Sequence, residues 1–267
     1  MFKVGFIGGG NMASAIIGGA LSSGFLAPAS IAVSDANPQA AAALAQKFGV
    51  EVLGNNREVA ARSWLIVLAV KPQFYGEVIE QIKAEAMDSG QKIVMTLAPG
   101  WTLARTQAAF GDPLKVVRAM PNTPALVGQG LTGFCVSDLV TPAETQWVTA
   151  LLESFGKAQP LPERLMDAFA GLCGSSPAFV FMMIEAMADA AVLEGIPRAQ
   201  AYTMAAQAVL GSAQMVLELE KHPAQLKDMV CSPGGSTIEG VRTLEKKGMR
   251  SAFFEAVLSA IAKAKLL

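Results

Sequence analysis

Through the first half of this chain, short β-branched runs alternate with alanine-rich stretches, and that alternation stops near residue 160. Val4-Gly5-Phe6-Ile7, Ile31-Ala32-Val33, Leu65-Ile66-Val67-Leu68, Ile93-Val94-Met95 and Lys115-Val116-Val117 read as buried strands. Between them, Asn11 to Leu21, Pro38 to Phe48, Gln73 to Ala86 and Thr102 to Phe110 carry helical patterns. Strands that return only after a helical crossover build an α/β layer with a doubly wound parallel sheet. From Glu163 onward strand-like runs vanish. Segments 164–172, 177–193, 197–219, 223–230, 237–247 and 249–265 are expected as helices, several with proline near the first turn. The expected division is therefore an α/β domain over 1–162 and an all-helical domain over 163–267, parted near Gln159-Pro160-Leu161-Pro162.

Composition narrows the function classes. The 267 residues carry a formal net charge of −1, and neither half has a basic run, which argues against nucleic acid or an anionic membrane as partner. A small molecule is the expected partner. The chain opens Met1-Phe2-Lys3-Val4 and runs directly into a glycine loop, a start that offers no room for a signal peptide. The longest apolar stretch, Ala168 to Ile184, is broken by Gly171, Gly174, Ser175, Ser176 and Pro177 and is expected to fall short of a bilayer span. Cys135, Cys173 and Cys231 are odd in number and never form a Cys-x-x-Cys pair, so neither a disulfide framework nor a zinc site is indicated, and no metal is expected. A reducing cytoplasm fits. A mean hydropathy of +0.40 is high for a chain without a span, and burial between subunits would satisfy the excess, so a homo-oligomer is expected.

Two glycine-opened helix starts carry the chemistry. Gly8-Gly9-Gly10-Asn11-Met12-Ala13 follows the first strand and opens the first helix, the pattern of a Rossmann-like dinucleotide site. Glycine lets the backbone approach a pyrophosphate, and helix N-terminal amides of Gly8, Gly9, Gly10, Asn11 and Met12 supply its hydrogen bonds. Asp35 ends the next strand, where a carboxylate receives ribose hydroxyls and favours NADH; a solvated surface Asp is the simpler alternative. Ser34, Asn37, Asn56 and Arg57 could instead hold the extra phosphate of NADPH, so both cofactors stay open. Ala69-Val70-Lys71-Pro72 and Met120-Pro121-Asn122-Thr123-Pro124 each follow a strand, where ligands gather in such sheets, and the prolines display Asn122 and Thr123 on a rigid turn.

The second start is Ser232-Pro233-Gly234-Gly235-Ser236-Thr237. The amides of Gly234, Gly235, Ser236 and Thr237 could receive a carboxylate; alternatively Ser232 and Thr237 only cap a helix. The helical half has one histidine, His222, best read as a turn residue before Pro223, and no Ser-His-Asp set. A nicotinamide enzyme needs no nucleophile, because the cofactor supplies the hydride. Scarce acids and bases favour a substrate that is already electrophilic, such as a protonated imine, with the Thr237 hydroxyl aimed at its nitrogen. If both glycine starts open on one cleft, a dinucleotide and a small acid could meet there.

The chain resembles the pyrroline-5-carboxylate reductases along its whole length. Pro223, Leu226, Val230, Ser232, Gly234, Gly235, Thr237, Gly240, Leu244 and Glu245 match that family's C-terminal signature in type and spacing, and Ala69-Val70-Lys71-Pro72, Asn122-Thr123-Pro124 and Gly171-Leu172-Cys173-Gly174-Ser175-Ser176-Pro177-Ala178 are family-like. The resemblance implies reduction of L-1-pyrroline-5-carboxylate to L-proline with NAD(P)H. It also implies that Thr237 bonds the substrate nitrogen, that Ser232, Gly234, Gly235 and Ser236 line the substrate pocket, and that Glu220 stands near the ring nitrogen through water. Family members form dimers through interleaved helical domains, often assembled into decamers, and generally prefer NADPH, a preference Asp35 opposes. A β-hydroxyacid dehydrogenase would share the architecture but needs a general-acid lysine, and aligning Gly171 and Gly174 with its motif puts Val180 there. A non-catalytic dinucleotide sensor would have no use for the second anion site.

Overall fold

The computed structural model describes residues 1–88, 90–111 and 113–266. The order is β1 (Phe2–Ile7), α1 (Asn11–Ser22), β2 (Ile31–Ser34), α2 (Pro38–Phe48), β3 (Glu51–Val52), α3 (Asn56–Arg62), β4 (Ser63–Leu68), α4 (Tyr75–Met87), β5 (Ile93–Thr96), α5 (Leu103–Phe110), β6 (Lys115–Met120), β7 (Gly130–Val136), α6 (Pro142–Glu153) and β8 (Gly156–Pro160). The helical half follows as α7 (Met166–Phe169), α8 (Ser176–Leu193), α9 (Arg198–Leu219), α10 (Pro223–Val230), α11 (Ser236–Lys246) and α12 (Met249–Ala264). Every expected strand and helix is present within a few residues, except that 164–172 divides into a 3-10 turn at Glu163–Leu165, the short α7, and a π-helical turn at Ala170–Gly174.

The eight strands form one sheet in the order β3-β2-β1-β4-β5-β6-β7-β8. The five strands expected from the sequence, β1, β2, β4, β5 and β6, pair in parallel as a doubly wound sheet requires, and the sheet is extended beyond them by β7, antiparallel to β6, and β8, parallel to β7. Strand alternation explains why both faces are covered. Leu65 and Val67 of β4 face α1 and α6 through Ile16, Ile17, Val148 and Leu151, while Ile66 and Leu68 face α3 and α4 through Val59, Val78, Ile79 and Ile82. The chain leaves β1 toward β2 on one side and returns through β4 on the other, which makes β1/β4 the switch point where such sheets bind ligands.

The chain divides into two compact units, Met1–Gly174 with Ala260–Leu267, and Ser175–Ser259. Residues 163–174 belong to the unit of the sheet, together with the end of α12, where Ile261 lies against Gly171, and what ties them to the sheet lies on β6. Val117 and Ala119 face the α1 side, so Arg118 and Met120 point the other way. Buried Arg118 pairs with Asp167 at 2.9 Å and Glu163 at 3.3 Å, and Met120 packs with Met166 and Phe169. The second unit is built on α8 and α9, which meet through Ala188, Ala201 and Ala205. The helical run Glu163–Leu193 is long and apolar enough to cross a bilayer by length and composition, against the expectation that this stretch falls short, and only 6% of its most apolar window is buried within the chain.

One buried cation seals the lower end of the sheet. Lys92 is 3% exposed, and its Nζ donates to the carbonyls of Ala60, Ala61 and Glu85 at 2.8, 3.1 and 2.7 Å. Those are last-turn carbonyls of α3 and α4, which have no partner inside their own helices. Lys92→Met keeps the apolar stem and orphans all of them, so urea denaturation is expected to give a loss of about 2 kcal/mol, the scale of a charge-assisted bond. An unchanged midpoint would show that water replaces the ammonium.

Candidate active site: two glycine-opened helix ends

The first end lies at the switch point. Gly8 is buried with φ +105°, a conformation that L side chains rarely adopt, and its amide donates to Ser34 O at 2.8 Å. A Cβ on Gly8 would stand 2.7 Å from Ala69 C, 2.8 Å from Ala69 O and 2.9 Å from Val70 N. The glycine loop and the Ala69–Pro72 loop therefore touch, and only a glycine fits between them. Around Gly10, by contrast, nothing lies within 4 Å of where a Cβ would stand, so the space above the helix start is open. Helix α1 begins at Gly10 without a side-chain cap, Asn11 is exposed, Met12 is half-buried against the core, and Ala13 is fully buried where the helix meets the sheet. Open amides at a helix start are what a pyrophosphate needs, and the residues fit a dinucleotide.

Asp35 faces this loop. Its Oδ2 accepts from Gly9 N at 2.6 Å and its Oδ1 from Asn37 N at 2.7 Å, so the carboxylate braces the glycine turn as well as standing at the end of β2. Beside it, Ser34 Oγ donates to Asn56 Oδ1 at 2.8 Å and Asn56 Nδ2 donates to Gln81 Oε1 at 2.8 Å. Arg57 is drawn off toward Gln81 O at 3.0 Å and Glu85 at 3.3 Å. The two readings of cofactor preference thus sit side by side, a carboxylate that repels a 2′-phosphate and a polar pair that could hold one. Asp35→Ser is expected to raise the kcat/KM ratio of NADPH over NADH about tenfold by removing like-charge repulsion. It should also weaken both cofactors through the lost Gly9 bond; an unmoved ratio would mean that Asp35 acts only as a brace.

Lys71 is exposed and leads into a 3-10 turn at Pro72–Phe74, with its ammonium carrying no partner among the described residues. Asn122 is committed more fully than its display on a turn implies. Its Oδ1 accepts from Leu131 N at 2.9 Å and its Nδ2 donates to Cys173 O at 3.0 Å, tying the turn after β6 to β7 and to the π-helical segment. Thr123 is exposed at the start of the following 3-10 turn.

The second end lies in the helical unit. Pro233 followed by Gly234 at φ +69°, with Gly235 N donating to Ser232 O at 3.1 Å, is the geometry of a type II turn, which needs glycine at its third residue. Gly235 is the cap of α11, and no side chain bonds there. A Cβ on Gly235 would lie 2.4 Å from Ser232 Oγ, so that hydroxyl hangs over the turn rather than capping the helix. The capping alternative for Ser232 and Thr237 therefore fails, in contrast to α2, α3, α5, α6 and α10, whose caps Asn37, Asn55, Thr102, Thr141 and His222 all accept backbone hydrogen bonds. Ser232, Gly234, Ser236 and Thr237 are exposed, and the Thr237 hydroxyl has no hydrogen-bond partner among the described residues. His222 is structural, its Nδ1 accepting from Ala224 N at 3.2 Å.

Glu220 is the one non-glycine residue with positive φ among those described, at +52°, where it ends α9. Strain of this kind collects at functional positions. Nothing in the residue pattern alone marks Glu220, and the backbone supplies an independent sign.

Residues 163–267 match the model of the family described as pyrroline-5-carboxylate reductase dimerisation, and residues 3–100 match that of NADP oxidoreductase coenzyme F420-dependent. The pyrroline-5-carboxylate reductase of Escherichia coli (strain K12) is 48% identical over 265 residues, covering 99% of this chain and 98% of that protein. The solved pyrroline-5-carboxylate reductase of Coxiella burnetii superposes with a TM-score of 0.90 at 33% identity, covering 99% of this chain and 97% of the other. A pyrroline carboxylate reductase of Plasmodium falciparum with NADP bound gives a TM-score of 0.90 at 29% identity, over 99% and 97% of the two chains.

Proposed function

The chain belongs to the pyrroline-5-carboxylate reductase family, and from that premise we propose how its residues divide the work. It reduces L-1-pyrroline-5-carboxylate to L-proline with NAD(P)H, the last step of proline synthesis. The amides of Gly10, Asn11 and Met12 hold the pyrophosphate, while Gly8 and Gly9, whose own amides are spent on Ser34 O and Asp35 Oδ2, let the backbone come close to it, with Ser34, Asp35 and Asn56 at the ribose end. Ala69, Val70, Lys71, Pro72, Asn122 and Thr123 border the nicotinamide end. The bound cofactor supplies the hydride, and the chain's own task is to orient, to exclude water and to place a proton donor.

The observation that carries the substrate assignment is the uncapped start of α11 behind a type II turn. Its amides at Gly235, Ser236 and Thr237, with the Ser232 hydroxyl above them, receive the substrate carboxylate at the positive end of the helix dipole. The Thr237 hydroxyl is left free to bond the ring nitrogen and hold it as the nitrogen's charge changes. Glu220, fixed in its left-handed backbone, stands near that nitrogen through water. Substrate carbon is already electrophilic, so no acid-base pair is needed at the carbon.

The functional division at 162/163 follows from the same roles, with cofactor residues before it and substrate residues after it. The chain is a homo-oligomer. An apolar groove of about 430 Å³ in the helical unit, lined by Phe179, Met182, Met183, Met187, Leu244 and Phe253, belongs to the dimerisation surface, and exposed Phe181 and Met182 continue it. Dimers assembled into decamers, a cytoplasmic location suited to three free cysteines, and the lack of a nucleic-acid or membrane partner complete the reading. The decisive test is oxidation of NADPH and of NADH on addition of pyrroline-5-carboxylate. Turnover is expected with at least one; none with either, from folded protein that binds a cofactor, would reopen the hydroxyacid-dehydrogenase and sensor readings.

A further inference from the structure

Tyr75 is fully buried at the start of α4, and its hydroxyl uses every bond it can make. It donates to Leu68 O at 2.6 Å, and it accepts from Leu97 N at 3.1 Å and from Thr96 Oγ1 at 3.3 Å. The register places Leu68 opposite Thr96 in the parallel pair β4/β5. In a regular parallel ladder the next rung would join Leu68 O directly to Leu97 N. Here the phenol oxygen is inserted into that rung. Ala69 N donates to Ile7 O at 2.8 Å on the other side, so β4 stays zipped to β1 while it is held off β5 by one hydroxyl.

The inserted rung sits at the last peptide before the Ala69–Pro72 loop. That peptide decides where Ala69 C, Ala69 O and Val70 N lie, and those are the atoms pressed against Gly8. We propose that Tyr75 is a positioning residue for the cofactor, its hydroxyl setting the exit of β4 so that the Ala69–Pro72 loop meets the glycine loop at the spacing a dinucleotide requires. This rests on the reading of those loops as the cofactor seat. Burial raises the phenol's pKa to about 12, so it remains the donor that Leu68 O needs at any pH the enzyme works at. Trp101 packs on the ring with centroids 4.9 Å apart and is not among the hydroxyl's hydrogen-bond partners, Leu68, Thr96 and Leu97.

Tyr75→Phe removes the rung and leaves Leu68 O and Leu97 N facing each other across an unfilled gap. Calorimetry on the full chain is expected to show Kd for NADPH and NADH rising about tenfold, the scale of one buried hydrogen-bond network. KM for pyrroline-5-carboxylate should change less than twofold. Trp101→Phe serves as the comparison, lowering Tm through the same aromatic contact while leaving both Kd values at wild type. A lower Tm for Tyr75→Phe with wild-type cofactor affinity would overturn the proposal and leave Tyr75 as packing only. Wild-type protein that binds neither cofactor would overturn the cofactor seat itself, a result distinct from the former. Should Tyr75→Phe not fold, amide exchange in the wild-type chain decides. Slower exchange at Leu97 and Ala69 with saturating NADPH supports the inserted rung as part of the seat, and unchanged exchange there overturns it.

Discussion

Thr237→Ala should lower kcat/KM for pyrroline-5-carboxylate about 100-fold while leaving the Kd of the reduced nicotinamide within about twofold of wild type, because the lost hydroxyl is the one proposed to bond the reacting imine rather than the cofactor. The residue stands at the second position of α11, exposed, with its Oγ1 unspent. The helix start itself persists in the variant, since its cap is Gly235 and the turn before it is held by the Gly235-to-Ser232 bond. Thr237→Ser keeps the hydroxyl and should recover most of the activity, which separates loss of the donor from loss of the methyl group. Steady-state kinetics with both variants, beside cofactor titration, decide the matter. An unchanged kcat/KM in Thr237→Ala would remove Thr237 from the chemistry.

Gly8→Val should abolish measurable cofactor binding, a weakening of about 100-fold or more. A β-branched side chain at φ +105° is strained, and its Cβ would enter the 2.7–2.9 Å space now occupied by the Ala69–Val70 peptide. Either the glycine loop or the Ala69–Pro72 loop must move, and both border the same crevice. Gly10→Ala is the informative contrast, because nothing lies within 4 Å of its added methyl, so any loss it causes measures crowding of the ligand and not of the protein. Calorimetry gives both affinities, and circular dichroism checks that the sheet is retained. Wild-type affinity in Gly8→Val would refute the loop assignment.

Most of the architecture was legible because its signals are local. Val4–Ile7, Leu65–Leu68 and the other central strands are buried on both faces and so read as continuous apolar runs. The helices of the second half show proline at their first turns, as at Pro177 and Pro223. The elements missed lie at the sheet's edges or carry weak composition. Strand β3 is two exposed residues, and β8, Gly-Lys-Ala-Gln-Pro, has no β-branched residue and gains its identity only from pairing with β7. Helix α6 was missed as well, although Thr141-Pro142-Ala143-Glu144, a capping box with proline at the first turn and both halves formed, was a signal that could have found it. The antiparallel turn of β7 had no sequence marker, because direction is set by the short connection through Pro124–Gly128 and not by residue type.

The candidate site divides the same way. Glycine loops announce themselves, since a positive φ or a close backbone approach leaves no other residue free to serve, and Gly8, Gly234 and Gly235 were identified on that ground. The strain at Glu220, the double commitment of Asp35 and the two backbone bonds of Asn122 were not, because each depends on partners brought near by the fold.

By itself the amino-acid sequence determined the α/β-then-helical layout, the two glycine-opened helix starts, and the family to which the chain belongs, the first two being consequences of periodicity and of glycine and proline at fixed places. Only the tertiary structure decided that both of those ends are left without a side-chain cap, why residues 163–174 stay with the sheet, and that the Tyr75 hydroxyl stands between β4 and β5. The reason is that local patterns fix where hydrogen-bonding groups lie along the chain, whereas their satisfaction is settled by groups distant in sequence, such as Arg118 with Asp167 or Leu68 with Leu97.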